Sequence, residues 1–537
     1  MSQEGKQIIK RCDQLEAEKA NWMNHWQDCA YYTMPRNAYV NRYRVKGERL
    51  PVDIYDSTAI HANQTLAAGL HGYLTNPSSR WFSLSLQNRA MTADKVVKVW
   101  LKEVEQKIFD TLNSSNFNQI IHEGYQEMGT FGTSVIYEEE DETEVVRFYA
   151  RPIGEMCLEE NSKERVNEVY RRFEMTAKQA YDRWGDKAGK GVIDAFKKEQ
   201  YERKFYFYHC VKEREKFKPG GKTSKDLPYA SYYVAKEGNE IISESGYHEF
   251  PFFCPRFNKV AGDVYGYSPT MVSLADIKML NAMSKTIIKS AQKIVDPPLI
   301  LPHDGFLLPL NMNPGKVNFQ LKGTYQDEIR PLATGGNIPV GLEMEEQRRI
   351  SIKRHFFVDL FLMIANQTKT MTATEVNQRV EEKMLLLGPS IGRLMNELLD
   401  PIVYRTFGIL LRRGMLPETP PQLEGQPLLV EYISPLAKAQ RISEINSLTG
   451  LLTLTGQMAQ VMPAVIDKID GDKAVDMAAD ILGVDPRMVR DEKAVQAIRE
   501  QRAEAEQAQA QSLQAQALAG AAKDGASAVE SMSNAQQ

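Results

Sequence analysis

The chain predicts an α+β fold that is mainly α, on three observations. Apolar residues recur at helical period through long runs on both sides of the 537-residue sequence. One central block, Gly132 to Asp263, is instead built of short β-branched and aromatic runs separated by turn residues. A Pro- and Gly-rich stretch then separates two of the longest helical runs.

The first helix is expected from Gln3 to about Tyr32, with Ile8, Leu15, Trp22, Trp26, Cys29 and Ala30 at mostly helical spacing. Pro35 and a Tyr/Arg-rich stretch, Asn37 to Arg49, end it. A second amphipathic run covers Ile54 to Leu74. RWFSLSL, Arg80 to Leu86, alternates as a strand does; Thr92 or Asp94 then suits the cap of a helix reaching about Leu112, and another follows near Phe117 to Met128. In the central block, GTSVIYEEEDETEVVRFYARP, EVYRRFEM, KFYFYHCVKER, ASYYVAKEG and FPFFCPRF predict a mixed, mostly antiparallel β region. A helix at about Ala177 to Glu199, around Trp184, interrupts it.

Ser268 before Pro269 is an N-cap and first-turn pair, and Pro297 with Pro298 ends the helix they open. At about 100° per residue, Ile277, Leu280, Met283, Ile287, Ala291 and Ile294 fall on one face, and Lys278, Lys285, Lys289 and Lys293 on the opposite one. The plain reading of that lysine stripe is a solvated face; the other is a face that meets polyanion or an acidic neighbouring helix. Residues 296–339 hold seven Pro and five Gly, more than twice the chain's average density, and predict a turn-rich insertion with short strands at Leu299 to Pro302 and Val317 to Leu321.

The second long helix is expected from near Leu342, with Glu343, Glu345 and Glu346 in its first turn, through Arg348, Arg349, Lys353 and Arg354 into HFFVDLFLMIA. A polar break, NQTKTM (Asn366 to Met371), follows. Thr372 to Glu375 then offers a capping box to an unusually long helix, kinked at Gly388-Pro389 and Asp400-Pro401, that reaches about Arg413 before Gly414 and Pro417. After a Pro-rich link and the strand LLVEYI, helices are expected at Ala437 to Val461, Lys473 to Leu482 and Pro486 to about Ala519. The last 35 residues carry 12 Ala and 7 Gln and few large apolar side chains, a composition that packs no core alone.

Charge is nearly balanced, 66 Lys+Arg against 70 Asp+Glu for a net of −4, which excludes tight polyanion binding by the surface as a whole. No stretch approaches the roughly 18–20 apolar residues that span a bilayer, and the N-terminus lacks an apolar h-region; a soluble, non-secreted chain is expected. The five cysteines, Cys12, Cys29, Cys157, Cys210 and Cys254, form no CxxC pair, so neither a disulfide framework nor a thiolate zinc site is suggested.

Catalytic signatures fail on inspection. Gly220-Gly221-Lys222-Thr223 lacks the leading glycine of a phosphate loop, which would fall at Lys216, and His122-Glu123 meets Gln126 where HExxH needs its second histidine. Glu138 to Glu144 holds six acids in seven residues and predicts the solvated tip of a hairpin, with a divalent-cation site as the alternative. Nothing resembles a nucleophile with its base. A nucleic-acid enzyme such as an ATPase or nuclease therefore has no foothold.

The order of elements is more specific than any motif. With CDQLEAEKANWMNHWQDCAYYTMPR, GYSPTMVSLADIKMLNAMSKTIIKSAQKIVDPP and TATEVNQRVEEKMLLLGPSIGRLMNELLDPIVYRTFGILLRRGMLP, the chain resembles the portal, or head-to-tail connector, proteins of short-tailed bacteriophages (podovirus type). The resemblance implies a non-enzymatic, cofactor-free dodecameric ring at one capsid vertex, made in the host cytoplasm; the alternative is a non-portal virion structural or internal core protein. Its channel would pass double-stranded DNA without sequence specificity, and its partners would be the terminase large subunit, a tail adaptor protein, and the major capsid and scaffolding proteins. Carried over, 1–267 would be the wing, 268–295 and 340–365 a two-helix stem, 296–339 the clip and 366–371 a tunnel loop. A long kinked wing helix with its return strand would occupy 372–435, a helical crown 436–502, and the tail 503–537. Candidate channel residues are Asn366, Gln367 and Lys369 in the loop, with Lys278, Lys285, Lys289, Lys293, Arg348, Lys353 and Arg354 on the stem, facing the lumen or bridging neighbouring copies.

Overall fold

The computed structural model describes residues 3–41, 53–87, 95–221, 223–296, 299–300, 330–331, 338–365, 387–423, 428–432 and 435–459. Beyond these it describes 462, 465, 468–482, 484, 488–490, 494–509 and 511. The chain forms two compact units. The larger holds Met1–Phe82, Val104–Leu416 and Tyr432–Ser434; the smaller holds Ser83–Glu103, Pro417–Glu431 and Pro435–Gln537. The architecture is mainly helical α+β, as expected.

In the larger unit, α1 (Gln3–Thr33) runs across two parts of the core. Its first half seats Ile8, Cys12 and Leu15 on Cys157, Tyr170, Tyr208 and Tyr232; its second half places Trp26, Cys29 and Ala30 among Phe131, Val135 and Met156. Trp26 Nε1 donates to the Phe131 carbonyl at 3.1 Å, and the buried Lys19 ammonium donates to the carbonyls of Gly154 and Met156 at 2.9 Å each, so burying these polar groups leaves no donor stranded. Helix α2 (Thr58–Leu74) and the strand β1 (Phe82–Leu86) follow. Helix α3 (Lys95–Ser114) begins in the smaller unit and, from Val104, belongs to the larger. Helix α4 (Phe117–Phe131) stops at Gly132, whose φ of 77° suits glycine and whose hydrogen faces the Gly266 carbonyl where a Cβ would collide.

The β region is antiparallel. Strands β2 (Ile136–Asp141) and β3 (Val145–Ala150) form a hairpin; β4 (Met156–Glu160), β5 (Val166–Thr176), β6 (Lys204–Glu213), β7 (Tyr229–Ala235) and β8 (Glu240–Tyr247) form a five-stranded meander in that order. The short β9 (Phe252–Phe253) completes a three-stranded sheet, β3-β2-β9. The single helix expected at 177–199 is two, α5 (Ala177–Trp184) and α6 (Lys190–Lys197), because Gly185 and Gly189 take positive φ values of 56° and 95°. The acidic tip needs a correction as well. Asp141–Glu144 turn the hairpin, but Glu138 is fully buried, where its carboxylate accepts from Thr406 Oγ1 at 3.1 Å and lies 3.7 Å from Arg405 Nε.

Ser268 caps α7 (Pro269–Val295) by accepting from the Met271 amide at 3.0 Å, and its hydroxyl donates to the Thr130 carbonyl at 2.8 Å. Of the insertion, Leu299–Ile300 (β10) pairs with Arg330–Pro331 (β11); the strand expected at Val317 to Leu321 lies outside the described residues. The next helix starts earlier than expected and is broken. Helix α8 (Ile338–His355) already includes Glu343 beyond its first turn, and Phe357 at φ 56° separates it from α9 (Val358–Ala365). The break turns Phe361 onto α2, where Gly69 has no Cβ to obstruct the ring.

The capping box at Thr372–Glu375 lies outside the described residues. Helical residues resume at 387 and run through a π turn, Met395–Leu399, into α10 (Asp400–Arg412), with Gly414 at φ 64° beyond its end. The π turn sits immediately before Pro401, which has no N–H for an ordinary helical bond. Arg256 and Glu397, fully and mostly buried respectively, meet through a backbone bond of 2.9 Å and side-chain bonds of 3.1 and 2.5 Å; Arg256 also pairs with Glu160. Arg405 donates to the carbonyls of Glu249 and Glu138.

In the smaller unit β1 pairs with β12 (Leu428–Tyr432). Trp100 Nε1 donates to the Pro417 carbonyl at 3.2 Å, and Lys95 Nζ to that of Val489 at 2.7 Å. Helices α11 (Pro435–Ala459) and α12 (Gly471–Leu482) match the expected segments, and 494–509 is helical within the predicted 486–519.

Candidate functional site

The antiparallel pair α7–α8 carries most of the candidate residues. Its shared face is partly apolar and partly polar: Ile277, Leu280 and Ser284 of α7 are buried, and Ser284 Oγ donates to the buried Glu345 at 2.7 Å. Gly341 lets α8 approach Ile287. Nearer the other end, Arg348 Nη1 and Ser351 Oγ donate to the two oxygens of Asp276 at 3.0 and 2.8 Å. Burial works against the Asp276 carboxylate, but these donors outweigh it and hold the group below the usual carboxylate range. Arg349 bonds Asp56 at 3.0 Å and Glu345 at 2.9 Å, fastening the pair to the segment that precedes α2.

The apolar face expected to run to Ile294 is not covered to its end. Ile287 still packs on Gly341 and Ala291 is half-buried, but Ile294 and Val295 at the end of the helix are exposed among the described residues. The lysine stripe also divides. Lys278 Nζ lies 2.7 Å from Asp28 and Lys285 Nζ 3.3 Å from Asp53, with Tyr55 beneath the latter ammonium at 5.2 Å. Donating to Asp28 raises the Lys278 pKa, and donating to Asp53 raises that of Lys285. Lys289 and Lys293 are exposed and have no ion-pair partner among the described residues, as is true of the half-buried Lys353 and the exposed Arg354. Asn366, Gln367 and Lys369 lie outside the described residues.

The acids that engage these cations, Asp28, Asp53, Asp56 and Asp276, escaped the sequence reading. Arg349, with Glu345 and Glu346 four and three residues before it, is the cation here whose partners carry a local signal. Among the described residues no group of three His, Cys, Asp or Glu side chains is placed to hold a metal ion, and no helix is long and apolar enough to cross a membrane. All five cysteines are buried and free.

A family model described as "Bacteriophage head to tail connecting protein" matches residues 5–489. The chain belongs to that family. Two curated head-to-tail relatives agree. It is 33% identical over 516 residues to a "Probable portal protein" of Bordetella phage BPP-1 and 32% identical over 508 residues to the "Portal protein" of Salmonella phage epsilon15; each match covers 93% of this chain and 91% of the relative. A chain of the "Virion of native gene transfer agent (GTA) particle" matches 79% of this chain and 89% of its own length at 12% identity, but a TM-score of 0.33 adds nothing to the assignment. A head-to-tail connecting protein is a structural component of the virion, so the head and the tail are its neighbours.

Proposed function

We propose that this chain is a portal subunit, twelve copies of which form a ring at one capsid vertex and pass double-stranded DNA through a central channel. The observation that carries the reading is the match to two phage portal proteins over 93% of the chain. In this reading α7, α8 and α9 form the stem, 296–339 the clip that docks the terminase large subunit and later the tail adaptor, and 366–371 the tunnel loop. The helix ending at Arg412 is the spine of a wing that meets capsid and scaffolding proteins, 436–502 is the crown, and 503–537 a tail inside the head.

The near-neutral net charge suits a conduit. Each phosphate that a protein cation neutralises releases counterions and tightens binding, with a salt slope of about −0.9 per contact, so a densely basic channel would grip DNA instead of letting it slide. Lys278, Lys285 and Arg348 already face acids of their own chain, which leaves Lys289, Lys293, Lys353, Arg354 and Lys369 as the stronger candidates for the lumen or for a bridge between copies.

Electron microscopy of the purified protein tests the reading: a ring with a hole wide enough for duplex DNA is expected, and a compact monomer under capsid-forming conditions overturns it. Lys369→Ala tests the loop separately, since unchanged DNA packaging and retention would remove it from the channel.

A further inference from the structure

On α7, Val272, Ala275, Met279, Ala282, Thr286 and Lys289 follow one another at alternating intervals of three and four, and Lys293 continues the series. That spacing draws one line along a helix. Every member is exposed, Val272 to 60% and Met279 to 44%, and the line is distinct from the Ile277–Leu280–Ser284 face that packs inside the chain. It begins apolar and small and ends in lysines. Helix α8 has an outer line of its own, Glu343, Gln347, Ile350 and Arg354, also exposed, with Ile350 at 41%.

The bonds between the two helices set the relative heights of these lines. Ser284 meets Glu345, and Asp276 meets Arg348 and Ser351. Met279 therefore stands level with Ile350, Ala282 with Gln347 and Thr286 with Glu343, while Lys289 lies about one helical turn from Glu343.

We propose that the Val272–Lys293 line of α7 docks on the Glu343–Arg354 line of α8 in a second copy of this chain, with Met279 against Ile350 and Lys289 against Glu343. The proposal rests on the ring reading above and deepens it. For a ring whose axis runs along the helix pair, rotation moves every atom at constant height, so the residues that meet across the interface are those already level within one copy. At equal height Met279 meets Ile350, apolar on apolar, and the long side chain of Lys289 spans the one turn that separates it from Glu343, cation on anion. Val272 and Met279 would gain nothing from facing a water-filled channel and its phosphates, whereas burial against a neighbour removes their apolar surface from water. Ala275 and Ala282 leave room for a close helix approach.

Paired cysteines in the full-length protein test the register, and the native cysteines, being buried, do not interfere. Met279→Cys with Ile350→Cys, oxidised after assembly, should convert most of the monomer band on a non-reducing gel to dimers and higher multiples. Val272→Cys with Val340→Cys, offset by about 24 Å at 1.5 Å per residue, should leave monomer. Assembled rings that fail to cross-link at the level pair, or cross-link equally at the offset pair, overturn the proposal while leaving the ring standing. Lys289→Glu should raise the concentration needed for assembly severalfold and Glu343→Lys added to it should restore the original value; a double variant no better than the single one overturns the charge pairing. If the unaltered protein forms no ring by microscopy, the portal reading fails and this register fails with it.

Discussion

The helix ending at Arg412 and the α7–α8 pair are both long, amphipathic and rich in charge, yet they treat charge in opposite ways. The first buries it. Arg405 of this helix and Arg256, which meets the helix's Glu397, have side chains 1% and 2% exposed, and each is held by carboxylates and carbonyls from elsewhere in the chain. The second buries Glu345 against Arg349 but leaves its lysines at the surface, with Lys278 and Asp28 44% and 49% exposed and Lys289 and Lys293 without a described partner. A buried ion pair needs every partner present at folding, so the first helix belongs to a subunit finished on its own. The helix pair keeps apolar and charged groups in reserve for contacts outside the subunit.

The sharpest way to break that contrast is to remove a buried cation. Arg405→Ala strands Glu138 without its guanidinium and should cost about 3–5 kcal/mol, read by denaturant unfolding; a loss no larger than that of a surface pair would erase the distinction. Glu127 offers a test of burial alone. It lies in α4, fully buried, with Oε2 unpartnered, and burial, assisted by Glu123, raises its pKa from the usual 4.5 to about 8. The folded protein then holds a proton that the unfolded chain releases near pH 4.5, so stability is full below that pH and falls as pH climbs towards 8. Glu127→Gln should therefore match the unaltered protein at pH 4 and exceed it at pH 8 by up to a few kcal/mol, each tenfold change in proton affinity being worth about 1.4 kcal/mol. Thermal unfolding at the two pH values measures it, and a pH-independent difference would contradict the assignment.

Smaller effects sharpen the picture at the helix pair. Ser268→Ala removes the cap of α7 and should cost about 1 kcal/mol, measured by the same unfolding titration. Lys278→Ala opens a largely solvated pair and should change subunit stability by less than about 1 kcal/mol; a loss on the scale of Arg405→Ala would place this pair with the buried group.

Local chemistry explains which parts of this could be read in advance. Ser268-Pro269 and Pro297-Pro298 bracket α7 within the sequence itself, and the alternating aromatic runs announce the meander. Gly185 and Gly189 are visible too, and their positive φ values split the helix expected across them. The break at Phe357 had no such sign. No glycine or proline marks it, and its cause is a seat for Phe361 on Gly69, almost three hundred residues away in the chain. The same holds for the α7–α8 pair: the lysine spacing is legible, but Asp28 and Asp53 are brought to it by tertiary structure alone.

The π turn at Met395–Leu399 has a geometric consequence for the paired arginine contacts. An extra residue in one turn delays the rest of the helix by about 100° of rotation. Glu397 and Arg405, eight residues apart, would diverge by about 80° on a regular helix, and the part of that delay that falls between them narrows the divergence. They reach Arg256 and Glu138 respectively. The turn works as a phase shifter, so the number of residues it contains matters more than their identity.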